Sequence, residues 1–93
     1  LAQSVGLFAV QAAIALGAGR VVYHDFDARR LAAARGLGAE VATVAYSETL
    51  HPAERFPIVV EAGGLPESLV YALRATQRCG HCTGVSAGTG NLA

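Results

Sequence analysis

An α/β fold built on a parallel sheet is the class this chain predicts, and three observations carry it. Short β-branched runs, Val21-Val22 and Val59-Val60, alternate with longer stretches rich in Ala and Leu, an order that calls for parallel strands joined by helical crossovers. Glycines stand where elements should turn, at Gly17, Gly19, Gly38, Gly63 and Gly64. Gly6 lies at the mouth of a small-residue helix, and Asp25 follows it by nineteen positions at the end of the next strand. A glycine at a helix start and an acid about twenty residues on form the second half of a dinucleotide-binding fingerprint.

The elements follow in order. Ser4 to Leu16 reads as a helix, with Leu7, Val10 and Ile14 at helical spacing and Ala9, Ala12, Ala13 and Ala15 keeping it thin. Being apolar nearly all round, it is expected to lie buried against a sheet. Arg20 to His24 is a short buried strand. Asp27 is placed to cap a helix from Ala28 to Leu37, with Leu31 and Ala34 pointing inward and Gly38 closing it. Glu40 to Val44 is a second strand, and a polar loop runs through Ser47, His51 and Pro52. Pro57 to Ala62 is a third strand turned by Gly63-Gly64. Pro66 and Glu67 then open a helix whose buried face is expected at Leu69, Val70 and Leu73. Cys79-Gly80 break the chain, and His81 to Ser86 is a last strand.

Composition narrows the class of partners. The chain has 93 residues, 53% of them hydrophobic and 15% charged, which suits a globular interior rather than a disordered segment. Seven Arg balance seven acids with no Lys, and the net charge is zero. No basic stretch offers a footprint for nucleic acid. The longest apolar run, Val5 to Ala18, is too short to span a bilayer. The expectation is a cytoplasmic protein with no membrane or nucleic-acid partner.

Ser4-Val5-Gly6-Leu7, Ala9-Val10-Gln11-Ala12-Ala13, Leu16-Gly17-Ala18, Val21-Val22 leading to Asp25, Arg30-Leu31, Leu37-Gly38-Ala39 and Val59-Val60-Glu61-Ala62-Gly63-Gly64 together resemble the coenzyme-binding domain of zinc-dependent, medium-chain alcohol dehydrogenases. The resemblance covers nearly the whole chain and rests on order and spacing. It implies a Rossmann-type, doubly wound parallel sheet whose first strand precedes Leu1. Residues 1–93 are then a partial NAD(P)-binding domain, an internal segment of a larger homo-oligomeric enzyme whose catalytic domain lies elsewhere.

By the same resemblance Ser4, Val5 and Gly6 line the pyrophosphate, Asp25 holds the adenosine ribose, and Arg30 lies on the adenosine side. Ala62 and Gly63 border the cofactor, and Val85, Ser86 and Ala87 approach the nicotinamide. The implied cofactor is NAD, with NADP the lesser candidate. The implied reaction is hydride transfer between NAD and a small alcohol, aldehyde or ketone, with zinc held by residues outside this chain. No catalytic or metal-ligating residue is assigned within it. The sequence departs from the family pattern at Leu1 and Gln3, at Cys79 and at Ser86, where glycines are usual. Two other readings stand beside this one: a zinc-free quinone or enoyl reductase using NADPH, and a domain that senses NAD without catalysis.

The remaining reactive side chains have plainer readings. Cys79-Gly80-His81-Cys82 copies the letters of a disulfide-exchange motif, but it follows a helix where that chemistry needs to open one. Two Cys and one His leave a zinc shell unfilled. His24 is expected to bond local main chain, His51 to be solvated, Asp27 to cap, and Glu61 to be a structural polar group at a strand end.

Overall fold

The computed structural model describes residues 2–44 and 52–85, with side chains from Val5 onward. Among these residues seven elements follow in the order α1 (Ala2–Ala15), β1 (Val22–Asp25), α2 (Ala28–Gly36), β2 (Glu40–Thr43), β3 (Phe56–Glu61), α3 (Pro66–Ala75) and β4 (Thr76–Gly84). Both strand pairings are parallel, as the alternation requires. The expected α/β class holds, and the boundaries of its elements move by one or two residues except at the last strand, which starts five residues earlier than expected. Ser47 and His51 of the expected polar loop, and Ser86 of the last strand, lie outside the described residues.

The first two helices end by the same device. Gly17 and Gly38 have φ of 90° and 103°. Ala18 N–H bonds the Ala13 carbonyl and Ala39 N–H that of Ala34, at 3.0 and 3.1 Å. These are Schellman closures, which need a left-handed residue after the last turn. At its other end α2 is capped as the sequence predicts, since Asp27 Oδ1 accepts from Arg29 N and Arg30 N at 2.9 and 3.1 Å. Leu31 and Ala34 are buried as expected. Val10, Ala34 and Ala39 form a core, with Leu7, Val21, Tyr23, Leu37 and Val41 packed round it.

Three expectations about packing are corrected. First, α1 is not enclosed: Phe8 is 65% exposed and Leu16 88%, while Val10 is buried. The sheet explains this, because it consists of two separate pairs, β1–β2 and β3–β4. β1 and β3 are not hydrogen-bonded to each other, and a cavity of about 650 Å³ lies between them, lined by Val10, Val22, His24, Ile58, Val60 and Ala72. Part of the surface on which α1 would rest is therefore open.

Second, the buried face of α3 is Ser68, Tyr71, Ala72 and Ala75, and Leu73 is exposed. The helix turns its small residues and one tyrosine inward because Ser68 is tied to Glu61 at the end of β3. Third, Cys79-Gly80 do not end an element. The strand begins at Thr76, directly after α3, and the register jumps from Phe56↔Thr76 to Ile58↔His81. The intervening residues bulge out of the ladder. Cys79 takes φ 65° there. A Cβ on Gly80 would stand 2.6 Å from the Pro57 carbonyl oxygen, so only glycine fits.

Candidate functional site

In a parallel α/β sheet the ligand crevice lies outside the carboxyl ends of the strands. Asp25 ends β1 and Glu61 ends β3, and both line the cavity with Gly6, Ala62 and Gly63. Gly6, expected at the mouth of the helix, instead sits inside α1, more than a turn from its start, because the helix begins at Ala2. A Cβ on it would come within 3.2 Å of Tyr23 Cε1 and 3.7 Å of Ala62 Cβ. The bare glycine thus lets α1 approach both halves of the sheet, as close helix–strand packing in such motifs requires.

Asp25 is 7% exposed and heavily bonded. Its Oδ1 accepts from Phe26 N at 2.7 Å, Asp27 N at 3.3 Å and Arg30 Nη2 at 3.0 Å. Its Oδ2 accepts from the Tyr23 hydroxyl at 2.7 Å and Arg30 Nε at 2.6 Å. Burial pushes the carboxyl pKa up, but the Arg30 guanidinium, the Tyr23 hydroxyl and the two main-chain N–H groups outweigh it and hold the group at about 2. The Tyr23 phenol is in turn pushed well up by burial and by the carboxylate it faces. Arg30 also lies over the Phe26 ring, 5.4 Å from its centroid.

At the end of β3, Glu61 is buried and structural, as its strand-end position suggests. Its Oε2 accepts from Gly64 N at 2.9 Å and the Ser68 hydroxyl at 2.7 Å. This joins the strand end to the first turn of α3 across Gly63-Gly64. A Cβ on Gly63 would meet Ser68 Oγ at 2.6 Å, and Gly64 has φ 74°. Beyond β4, Val85 N–H bonds the Glu61 carbonyl at 2.9 Å.

The structure brings Gly6, Asp25, Arg30, Ala62 and Gly63 to one cavity. Val5 lies in α1 beside Gly6, half-buried, and Ser4 is in the same helix. Val85 is 42% exposed. Ser86 and Ala87 lie outside the described residues.

His24 departs from expectation. Its Nδ1 is 2.9 Å from the Tyr71 hydroxyl, not on main chain, and its ring meets Phe56 edge-on. Nε2 is buried without a hydrogen-bond partner, and burial lowers the pKa of the ring. Cys79 is exposed and Cys82 half-buried, both as free thiols. Among the described residues no three His, Cys, Asp or Glu side chains converge to hold a metal, and no helix there is long and apolar enough to cross a membrane.

Tyr23 is the site residue the sequence reading missed. Its signal was present, because residues two apart on a strand share a face, so Tyr23 and Asp25 were bound to point the same way. Ser68 and Tyr71 carried no comparable sign, since their roles depend on where α3 docks.

The residues present fit a dinucleotide: an acid at the tip of one strand, a glycine-faced helix beside it, and a glycine turn at the tip of the next. This defines a nucleotide-binding α/β unit of the Rossmann type. The model of the zinc-binding dehydrogenase family matches residues 4–93, and the chain belongs to that family as the coenzyme-binding domain of a medium-chain dehydrogenase, an oxidoreductase. No curated protein and no solved structure matches it.

Proposed function

We propose that the chain binds the adenosine half of NAD for a zinc-dependent alcohol dehydrogenase, which moves hydride between NAD and a small alcohol or carbonyl compound. The observation that carries the reading is the buried, ionised Asp25 carboxylate at the tip of β1, on the cavity that Gly6 also borders. A carboxylate there accepts hydrogen bonds from the ribose hydroxyls and opposes a 2′-phosphate by like charge.

In this reading α1 presents its N-terminus to the pyrophosphate, where unpaired N–H groups and the helix dipole favour an anion. Ala62 and Gly63 border the cofactor beyond β3, and Val85, Ser86 and Ala87 lie toward the nicotinamide. Zinc, bound by residues outside this chain, polarises the alcohol oxygen when present. The chain's own part is to hold and orient the dinucleotide. The acid at Asp25 favours this reading over a zinc-free reductase using NADPH.

Titration of NAD and NADP into the intact protein tests it. NAD is expected to bind more tightly, and Asp25→Gly is expected to weaken NAD by roughly 1.5–3 kcal/mol, the range for hydrogen bonds to a charged group. Tighter binding of NADP by the unaltered protein would remove the ribose assignment.

A further inference from the structure

His24 stands next to Asp25 in β1, and neighbours on a strand face opposite sides of the sheet. Asp25 is met by Arg30 of α2. His24 is met by α3, with Nδ1 2.9 Å from the Tyr71 hydroxyl. Among the described residues β1 and β3 share no main-chain hydrogen bonds, so this contact ties the β1–β2 half to the β3–β4 half through a side chain. A second tie, from Arg20 to Glu54, is half-exposed on both sides and contributes little. Tyr71 is one helical turn from Ser68, and both lie on the buried face of α3. Ser68 donates to Glu61 at the tip of β3, and the same Glu61 oxygen accepts from Gly64 N. The helix that His24 grips is therefore the one whose first turn is fastened to the glycine turn of the crevice.

We propose that neutral His24 is a positioning residue for the dinucleotide crevice: through Tyr71 it holds α3, and with α3 the Gly63-Gly64 turn, in place across the cavity from Asp25. The inference rests on the reading that this crevice binds a dinucleotide. The two ring nitrogens show why the neutral form is required. Nδ1 faces a hydroxyl, which can give or take a proton and so suits either tautomer. Nε2 is buried with no partner. A second proton would leave an unpaired N–H and a positive charge between Tyr71 and Phe56, whose ring meets His24 edge-on at 5.7 Å. The acids nearby are already engaged. Glu54 favours the charged ring but is held by Arg20, which also holds Glu40. Asp25, on the other face, is held by Arg30. From α3 the titratable group on the cavity is Tyr71 itself, which burial keeps a phenol. Protonated His24 is expected to turn away from Tyr71 and release α3.

The first test is the NAD dissociation constant of the intact protein as a function of pH, with thermal melts to show that it stays folded. The neutral ring is the binding form, so affinity is expected to be constant above pH 7 and to fall about tenfold as pH drops below about 6.5. His24→Asn does not titrate, and its amide can take the place of Nδ1 opposite Tyr71. It is expected to keep the affinity at pH 7 within about threefold and to lose the slope. His24→Phe, which cannot meet the hydroxyl, is expected to weaken NAD roughly threefold to tenfold at every pH, also without a slope.

The second test needs no variant. Coupling between two binding equilibria is reciprocal, so saturating NAD is expected to lower the midpoint of the His24 imidazole titration, followed by NMR, by an amount that matches the tenfold loss. A merely structural His24 would move neither the slope nor the titration. An unmoved titration, or a slope that persists in His24→Asn, therefore overturns the proposal and leaves the dinucleotide reading intact. A slope lost in His24→Asn, together with a titration lowered by NAD, upholds it. If His24→Asn does not fold, the titration decides alone. Failure of the unaltered protein to bind NAD at pH 7 removes both readings.

Discussion

His24 is a histidine that its surroundings keep neutral. Burial lowers its pKa, Nδ1 shares a hydrogen bond with Tyr71, and a proton added at Nε2 would find no partner. A group whose charged form is disfavoured on folding costs stability as pH falls below its unfolded pKa of about 6.5. Urea midpoints of the intact protein are therefore expected to be flat above pH 7 and to fall as pH drops below about 6.5, and His24→Phe is expected to flatten that decline. An equal decline in the variant would place the titration elsewhere. Asp25 has the opposite sign. Its pKa is depressed to about 2 from 3.8, so its contribution is present above the unfolded value and lost only as pH drops toward 2. At this scale Asp25, Asp27 and Glu61 were legible because strand ends and helix starts can be read from local pattern. The tie from His24 to Tyr71 was not, since forty-seven residues separate them and only the docking of α3 joins them.

The bulge in β4 is where an element departs most from its sequence pattern. Cys79 holds a positive φ, a conformation that costs a residue with a Cβ roughly 1–2 kcal/mol and costs glycine little. Cys79→Gly is expected to raise stability by about 1 kcal/mol. Gly80→Ala is expected to lower it by roughly 1–3 kcal/mol or more, because the new methyl would meet the Pro57 and Gln77 carbonyl oxygens at 2.6 and 2.9 Å. Chemical denaturation of the two variants in the intact protein separates these outcomes, and a neutral Gly80→Ala would mean that the bulge is not held at Pro57. The Cys79-Gly80 pair looked like a break because glycine usually ends elements. Here it relieves a register jump inside one, which no local pattern distinguishes. The same surroundings argue against redox chemistry at Cys79 and Cys82, which lie in a strand rather than at a helix start. Replacing both with Ser is expected to leave insulin reduction at background, as in the unaltered protein.

For the molecule as a whole, the open space between β1 and β3 governs stability. Among the described residues each of these strands is paired on one side only, and Ile58 and Val60 are 72% and 46% exposed. Free inner edges leave main-chain donors and acceptors without partners and apolar side chains wet. Filling that slot with a strand parallel to both would bury three or four further side chains, worth roughly 1.5–3 kcal/mol each, a total comparable with the stability of a typical domain. The 93-residue chain by itself is expected to melt at low temperature or without a cooperative transition, and to bind NAD poorly. A chain extended by a strand that seats between β1 and β3 is expected to melt cooperatively. A sharp, monomeric melt of the 93 residues with micromolar NAD binding would show that the slot needs no strand. The α/β class and the parallel pairing were legible from alternation. The separation into two pairs was not, because edge pairing leaves no mark on the strands that lack it.

The pairing of Asp25 with Arg30 also bears on speed. An unpaired acid or base at a crevice mouth projects a field that pulls in or turns away charged molecules before they touch. Here the two charges cancel within a hydrogen-bond length, and the chain as a whole carries none in excess. An anionic nucleotide would arrive by unaided diffusion, and its association rate would hardly change as salt is raised through the range where the Debye length shrinks from about 30 to 8 Å. Whatever selectivity the crevice has is then exercised after arrival, in how long each nucleotide stays.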